Sequence, residues 1–403
     1  MHLAKANKNM KNNTSIVFTG DIGFDKYMDG QWNDPELISD EILDFLRSAD
    51  HVVTNVEGPL GDFSKNETDT GVAQLLHTMS SEVTKVLDRI HSDVWNICNN
   101  HIMDAGPDGI ASTLKIAREH GAKTIGAGMN IAEARTPVII KEAGGIGMFG
   151  VGYQRACRKA DTDKAGCYSW SDLEEIQNTI SEIKSKCRWC VVVSHAGEEF
   201  TALPSPYTRE RYLKFLEMGA DLVVGHHPHV PMNYELVGDK AIFYSLGNFI
   251  FDTDYQRSQY NTDIGVLLKI NFTKESYTFE PLGIKIDRKC EHIVKGDLPR
   301  IFVNVPEKEY ELLAPLSAKM MIAATKRQQR YLFPEEYANA TEEQWQENFS
   351  RPLRSGRVPG ETLDYFIICP LAEKEKEKAW QQSTLEGVKE YILEQIPDLP
   401  KKK

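Results

Sequence analysis

The chain has 403 residues, 41% hydrophobic and 26% charged, with a formal net charge of −12. That balance fits a soluble globular protein with a sizeable core, and it argues against nucleic acid as a partner, which needs clustered Lys and Arg. Seven scattered cysteines, an odd number, read as reduced thiols of the cytoplasm and not as a disulfide framework.

The basic start Met1–Met10 is followed by no apolar run, so no secretory signal is expected, and no stretch approaches the ~18 apolar residues of a membrane helix. Residues 1–14 are expected to be disordered. Ser15–Thr19 reads as a strand. A helix is expected from Pro35, capped by Asp34, with Leu37, Ile38, Ile42, Phe45 and Leu46 on its apolar stripe. His51–Val56 and Val94–Cys98 read as strands, separated by a helix over Ser80–Ile90. Pro107 opens a helix that ends near His120, before Gly121, and Lys123–Ile125 is the next strand. Pro137–Ile140 and Gly147–Val151 follow as strands. Tyr153–Trp170 has no periodicity and reads as a long loop. Helices over Asp172–Lys186 and Arg209–Met218 alternate with the apolar strands Cys190–Val193 and Leu222–Gly225.

The later strands, Glu235–Tyr244, Ile264–Phe272 and Tyr277–Ile286, have no helices between them. The pattern therefore predicts an α/β fold with sheets sandwiched between helices. That domain is expected to span residues 15–300. Residues 301–403 are expected to form a C-terminal appendage, helical over Lys308–Arg330 and Glu386–Ile396, with an acidic Glu335–Phe349 and a basic, Pro- and Gly-containing Arg351–Gly360. Cys187 and Cys190 have C-x-x-C spacing, but Cys190 opens a strand and no second pair is near, so no zinc or redox site is expected.

Acidic residues, Asn and His collect just past strand ends, where open α/β sheets place their ligands. Gly20-Asp21 follows the first strand, and Glu57 precedes a Gly-Pro turn. In Asn99-Asn100-His101-Ile102-Met103-Asp104 the amide can bind a metal, the imidazole can donate a proton, and the carboxylate can fix its tautomer. Ser194-His195-Ala196-Gly197-Glu198-Glu199 and Gly225-His226-His227-Pro228-His229 end two further strands. His227 and His229 are two apart, which in extended backbone puts both on one side. Carboxylates, Asn and His in one site suit a pair of divalent first-row ions, about 3.5–4 Å apart.

These blocks, with Tyr244-Ser245-Leu246-Gly247-Asn248-Phe249, resemble the CapA family named for poly-γ-glutamate capsule biosynthesis, over about Ile16–Asp252. That family is in turn similar to the calcineurin-like metallophosphoesterases, whose fold is a four-layer α/β/β/α sandwich. The resemblance implies metal ligands at Asp21, Glu57, Asn100, His195, His227 and His229, with Glu57 in the bridging place. It implies His101 as proton donor or oxyanion stabiliser and Asp104 as its partner. It implies one or two divalent ions, Mn, Fe or Zn. Two departures stand out. Phosphoesterases read Asp-x-His at the first block, where this chain has Gly23, so the first site lacks one ligand unless His226 replaces it. The bridging residue is Glu where they carry Asp.

The implied activity is metal-dependent hydrolysis of a phosphoester or a γ-glutamyl-type amide, on a small or polymeric anionic substrate. The alternatives are a non-catalytic accessory protein of anionic-polymer biosynthesis with a structural metal, and a binding module for an anionic metabolite. Arg155 and Arg158, in the loop Tyr153–Trp170, are the candidate substrate-binding cations.

Overall fold

The computed structural model describes residues 12–63, 76–153, 157–349, 378 and 380–397. Sixteen strands can be numbered among them: β1 Asn13–Ile22, β2 His51–Val56, β3 Ser92–Asn96, β4 Lys123–Ile125, β5 Ala127–Gly128, β6 Val138–Ile140, β7 Ile146–Gly152, β8 Gly166–Cys167, β9 Trp189–His195, β10 Leu222–His226, β11 Tyr234–Val237, β12 Lys240–Phe243, β13 Asn248–Ile250, β14 Ile264–Thr273, β15 Tyr277–Asp287 and β16 His292–Lys295.

They form two large sheets. One runs β16-β15-β14-β1-β2-β3-β4, with β13 also on β1; the other runs β11-β12-β10-β9-β7-β6. β1 to β4 are mutually parallel, as are β7, β9, β10 and β12, while β14, β15, β16, β11 and β6 pair antiparallel with their neighbours. Strand alternation divides the core. Val17, Val52 and Val56 join Ile42, Leu46, Leu87, Ile110 and Leu114 of the helices in one apolar cluster. Ile16, Phe18, Val53 and Val94 of the first sheet share a second cluster with Val191, Val193, Val224 and Phe243 of the other. Val192, Val223 and Ile242 meet Ile176, Ile180, Tyr212 and Phe215 of the helices Leu173–Lys186 and Pro206–Glu217 in a third. Each such side chain, fully buried, contributes roughly 1.5–3 kcal/mol.

Four expectations change. β1 begins at Asn13, not Ser15, and residues 1–11 of the expected disordered start lie outside the described residues. The helix expected from Pro35 starts at Asp40. Tertiary pairing overrides the cap signal there: Ile293 of β16 donates to Leu37 O at 2.7 Å, Ser39 donates back to Ile293 O at 3.0 Å, and Asp34 Oδ1 caps only a turn at Glu36 N. The segment expected as a single strand over Glu235–Tyr244 is a hairpin, turned at Gly238 with φ 64°. The helix expected from Arg209 starts at Pro206, because Ser205 Oγ accepts from Thr208 N at 3.1 Å.

Beyond residue 300, a 26-residue helix, Glu307–Leu332, packs Leu313, Leu316 and Met320 against Ala202, Leu203, Ile301 and Val305 and against Val388 and Ile392 of the helix Glu386–Leu393. Glu342–Phe349 is also helical, while Arg351–Gly360 lies outside the described residues. Cys187 and Cys190 are free thiols. No helix among the described residues is long and apolar enough to cross a membrane.

Candidate functional site

The site begins with an irregularity in β1. Phe18 pairs with Val53 and Asp21 with Asn55, so β1 spends three residues where β2 spends two. That extra residue is a bulge, and it reverses which face the following side chains take. Val17 and Ile22, of opposite parity, therefore share one apolar cluster. Asp21, between them in phase, turns to the other side, toward the end of β10. β1 also changes neighbours here, from β14 to β13. Gly20 permits the approach: a Cβ there would stand 2.2 Å from Gly247 O.

Asp21, Glu57, His195, His227 and His229 are gathered in one buried place, and two groups of ligand atoms each lie within 4.8 Å: Glu57 with His195 and His227, and Asp21 with Glu57 and His229. Glu57 belongs to both. Its Oε1 lies 3.6 Å from His195 Nε2 and 3.5 Å from His229 Nε2, and His229 Nδ1 lies 3.4 Å from Asp21 Oδ2. Asn100 Oδ1 is 2.7 Å from His195 Nε2. His226 Nδ1 lies 3.3 Å from Asp21 Oδ1, beside the first carboxylate as its candidate replacement role requires. The backbone at His227 and His229 is not extended, as the two-residue spacing presumed; both have positive φ, 97° and 57°. Their rings meet the cluster through that left-handed turn, a conformation that costs a non-glycine residue ~1–3 kcal/mol.

Buried amides orient the carboxylates. Asn96 donates to Asn55 Oδ1 at 2.9 Å, and Asn55 donates to Asp21 Oδ1 at 2.8 Å and to Glu57 Oε2 at 3.4 Å. Asn248 Oδ1 pairs with His229 Nδ1 at 2.9 Å. The residue types gave no role to Asn55 or Asn96; their signal was a polar side chain at a buried position of an otherwise apolar strand.

Burial, then the charge of Asp21, push the Glu57 carboxyl well above its usual range. Burial acts on Asp21 as well, but His226, His229 and His227 more than offset it and hold Asp21 low. Burial drives the His195 and His227 imidazoles down, His227 to about 4. Two carboxylates and neutral imidazoles in a dry place suit a cation, because a positive ion relieves the repulsion and the imidazoles are already deprotonated. Glu57 Oε1 and His227 Nδ1 are buried and have no hydrogen-bond partner among the described residues, which fits donor atoms shaped for an ion.

His101 Nδ1 pairs with Asp104 Oδ2 at 2.7 Å, as the sequence spacing implies. The same oxygen accepts from the His77 backbone N–H at 2.9 Å. His77 stands edge-on to His101, ring centroids 4.2 Å apart, and its Nδ1 is hydrogen-bonded to Asp25 Oδ2. A second carboxylate–imidazole pair thus adjoins the first. Nothing in the sequence spacing joined Asp25 to His77. Arg155 lies outside the described residues. Arg158 is half-buried, and its carbonyl accepts from Cys167 N at 2.7 Å, anchoring the loop.

Known proteins share this chain's pattern. The family model of the bacterial capsule synthesis protein PGA_cap matches residues 15–253. The PGA biosynthesis protein CapA of Bacillus subtilis (strain 168) is 30% identical over 287 residues, 70% of this chain and 74% of its own length. The capsule biosynthesis protein CapA of Bacillus anthracis is 28% identical over 235 residues, 57% of each chain. A probable polyglutamine synthesis accessory protein of Mycobacterium tuberculosis is 22% identical over 189 residues, 44% of this chain and 50% of its own. A hypothetical protein of Thermus thermophilus, of solved structure, aligns at a TM-score of 0.42 and 12% identity, over 67% of this chain and 99% of that one. On the match over residues 15–253, the chain belongs to the bacterial capsule synthesis PGA_cap family.

Proposed function

We propose that this chain is a divalent-metal-dependent hydrolase acting on a phosphoester or a γ-glutamyl-type amide in poly-γ-glutamate or capsule metabolism. The observation that carries the reading is Glu57, shared by two groups of ligand atoms, Glu57-His195-His227 and Asp21-Glu57-His229. A carboxylate common to two ligand sets is what a pair of neighbouring ions needs. Asn100 completes the first group through its contact with His195. The reading goes with a four-layer α/β/β/α arrangement of residues 15–300, favoured by the apolar cluster shared by the two sheets and by the helices packed on each.

Divalent ions bound there supply Lewis acidity at the scissile centre. The chain's own residues do the rest. Asp104 holds the proton on His101 Nδ1, so His101 exchanges its reacting proton through Nε2. Asn55 and Asn96 keep Asp21 and Glu57 pointed inward. The burial of Asp21, Glu57 and His195 keeps water out of their contacts and strengthens each of them. Arg158, with Arg155, is proposed to meet an anionic group of the substrate.

One observation favours the accessory reading: the place of the missing histidine at position 23 is filled by the Phe251 ring. Elemental analysis of the purified full chain, with rates on a panel of phosphodiesters and γ-glutamyl amides, separates the two. Bound metal with turnover that chelation abolishes supports the hydrolase. Bound metal without turnover on any panel member supports the accessory role.

A further inference from the structure

The helix Glu307–Leu332 lies beyond the part of the chain that the family model matches, yet it reaches the site. The point of contact is Glu199. Its Oε2 accepts from the Tyr255 hydroxyl at 3.0 Å and from the Gln328 side-chain amide at 3.0 Å. Three segments far apart in sequence thus converge on one carboxylate. Glu199 keeps some exposure, whereas Asp21 and Glu57 are at 0%. Glu199 lies four residues after His195, the end of β9, and directly before Phe200, whose ring packs on His229.

The next residue ties the same segment to the other ligand group. Phe200 has φ 62° and stacks over His229, centroids 6.0 Å apart and planes at 26°. Its N–H donates to Pro228 O at 2.8 Å. Phe200 also meets Tyr255 edge-on at 5.2 Å, and Tyr255 packs on Tyr331 of the long helix at 5.4 Å. A strained non-glycine conformation persists only where its surroundings enforce it. Here the long helix provides part of those surroundings, through Ala324 and Leu332.

We infer that Glu199 is a carboxylate that strengthens cation binding at the site flanked by His195 and His229 without ligating the ion, and that Tyr255 and Gln328 are positioning residues that hold it there. The inference rests on the metal-centre reading above. A negative charge just outside a buried ligand set lowers the free energy of a dication most where water is scarce. The hydroxyl and the amide are neutral donors, so neither of these two cancels the carboxylate's charge. The helix Glu307–Leu332 then supports the metal centre, and its loss loosens the ion.

The test measures dissociation constants for Mn²⁺ and Zn²⁺ on the full chain by chelator competition, together with melting of the metal-free chain. Glu199→Gln weakens binding about 10–100-fold, and Glu199→Asp recovers most of it. Tyr255→Phe and Gln328→Met, which remove only the donors and keep the packing, each weaken binding by a smaller factor, and the loss shrinks at high salt. Melting of the metal-free variants stays near wild type, which a merely structural role would not allow. His227→Ala is the control for a lost ligand. Wild type that binds metal, His227→Ala that does not, and Glu199→Gln equal to wild type overturn this inference and leave the metal centre standing. Wild type that takes up no metal overturns both.

Discussion

The Phe251 ring stands where a side chain on residue 23 would go: a Cβ built on Gly23 falls 2.4 Å from Phe251 Cε2. Phe251 in turn packs on His229, centroids 4.8 Å apart, so the aromatic ring braces a candidate ligand from the side on which a histidine would otherwise sit. Gly23→Ala is expected to destabilise the chain by about 1–3 kcal/mol through overpacking. Phe251→Ala in the same chain should cancel much of that cost. Denaturant midpoints for the two single variants and the double variant check this, and strictly additive effects would refute the contact.

His101 and His227 should separate catalyst from ligand. His227→Ala should lose metal and turnover together, since it removes a ligand atom of the Glu57 group. His101→Ala should keep its metal and slow turnover by ~10²–10⁴-fold. Asp104→Asn should fall between the two, with metal retained and the tautomer of His101 less firmly set. Metal content and rate for the three purified variants decide the matter. Equal metal loss in His101→Ala and His227→Ala would make His101 a ligand.

The amide relay is open to a stability test. Asn55→Ala leaves Asn96 Nδ2 and Asp21 Oδ1 each short of a buried partner. An unsatisfied buried group costs about 1–3 kcal/mol, so unfolding of the metal-free variant should move to lower denaturant. The double variant Asn55→Ala/Asn96→Ala should lose less than the sum of the two single changes. Full additivity in that cycle would mean that the two amides do not act together.

The pH dependence of the metal-stripped chain follows from His227. Burial, the largest influence, takes this imidazole from 6.5 to about 4 against the opposing charge of Glu199. Between those values the unfolded chain binds a proton that the folded chain does not. The contribution is therefore present above about 6.5 and is lost as pH falls toward about 4. It amounts to something on the order of 3 kcal/mol. Glu57, whose carboxyl is raised, has the opposite slope, so the comparison is with His227→Gln. Wild type and His227→Gln should converge in stability as pH drops through that window. Parallel stability curves from pH 7 to pH 4 would contradict the neutral buried imidazole.

Much of the cluster could be read from the sequence because its candidate ligands end apolar strands, and parallel strands bring their ends to one edge. Asp21, Glu57 and His195 needed only that rule to meet. Asn55, Asn96 and Asn248 could not be assigned in advance, because their partners are set by strand register across tens of residues. Asp25 and His77 meet across a sequence separation of 52, from two irregular segments with no periodicity to align them. The helix expected at Pro35 failed for a related reason: a strand near residue 293 claimed the backbone that the capping residues mark as a helix start. The two-residue spacing of His227 and His229 puts them on one side only in extended backbone, whereas a left-handed turn carries them to the cluster.

The extra residue in β1 has a consequence for how length variation can be tolerated. Upstream of Phe18 the strand's side chains keep time with β2; after Asp21 they run one beat behind. Deleting a single residue between them would restore a regular ladder, a gain by any local measure of strand quality. Asp21 would stay opposite Asn55 and Ile22 opposite Val56, each on the face it now takes. Drawing the extra residue into the ladder at unchanged length would instead set Asp21 opposite Val56, on the face packed beneath the helices. The bulge is therefore where β1 can lose a residue without moving its polar end, whereas a loss between Asn13 and Phe18 would turn the apolar side chains before it to the wrong face.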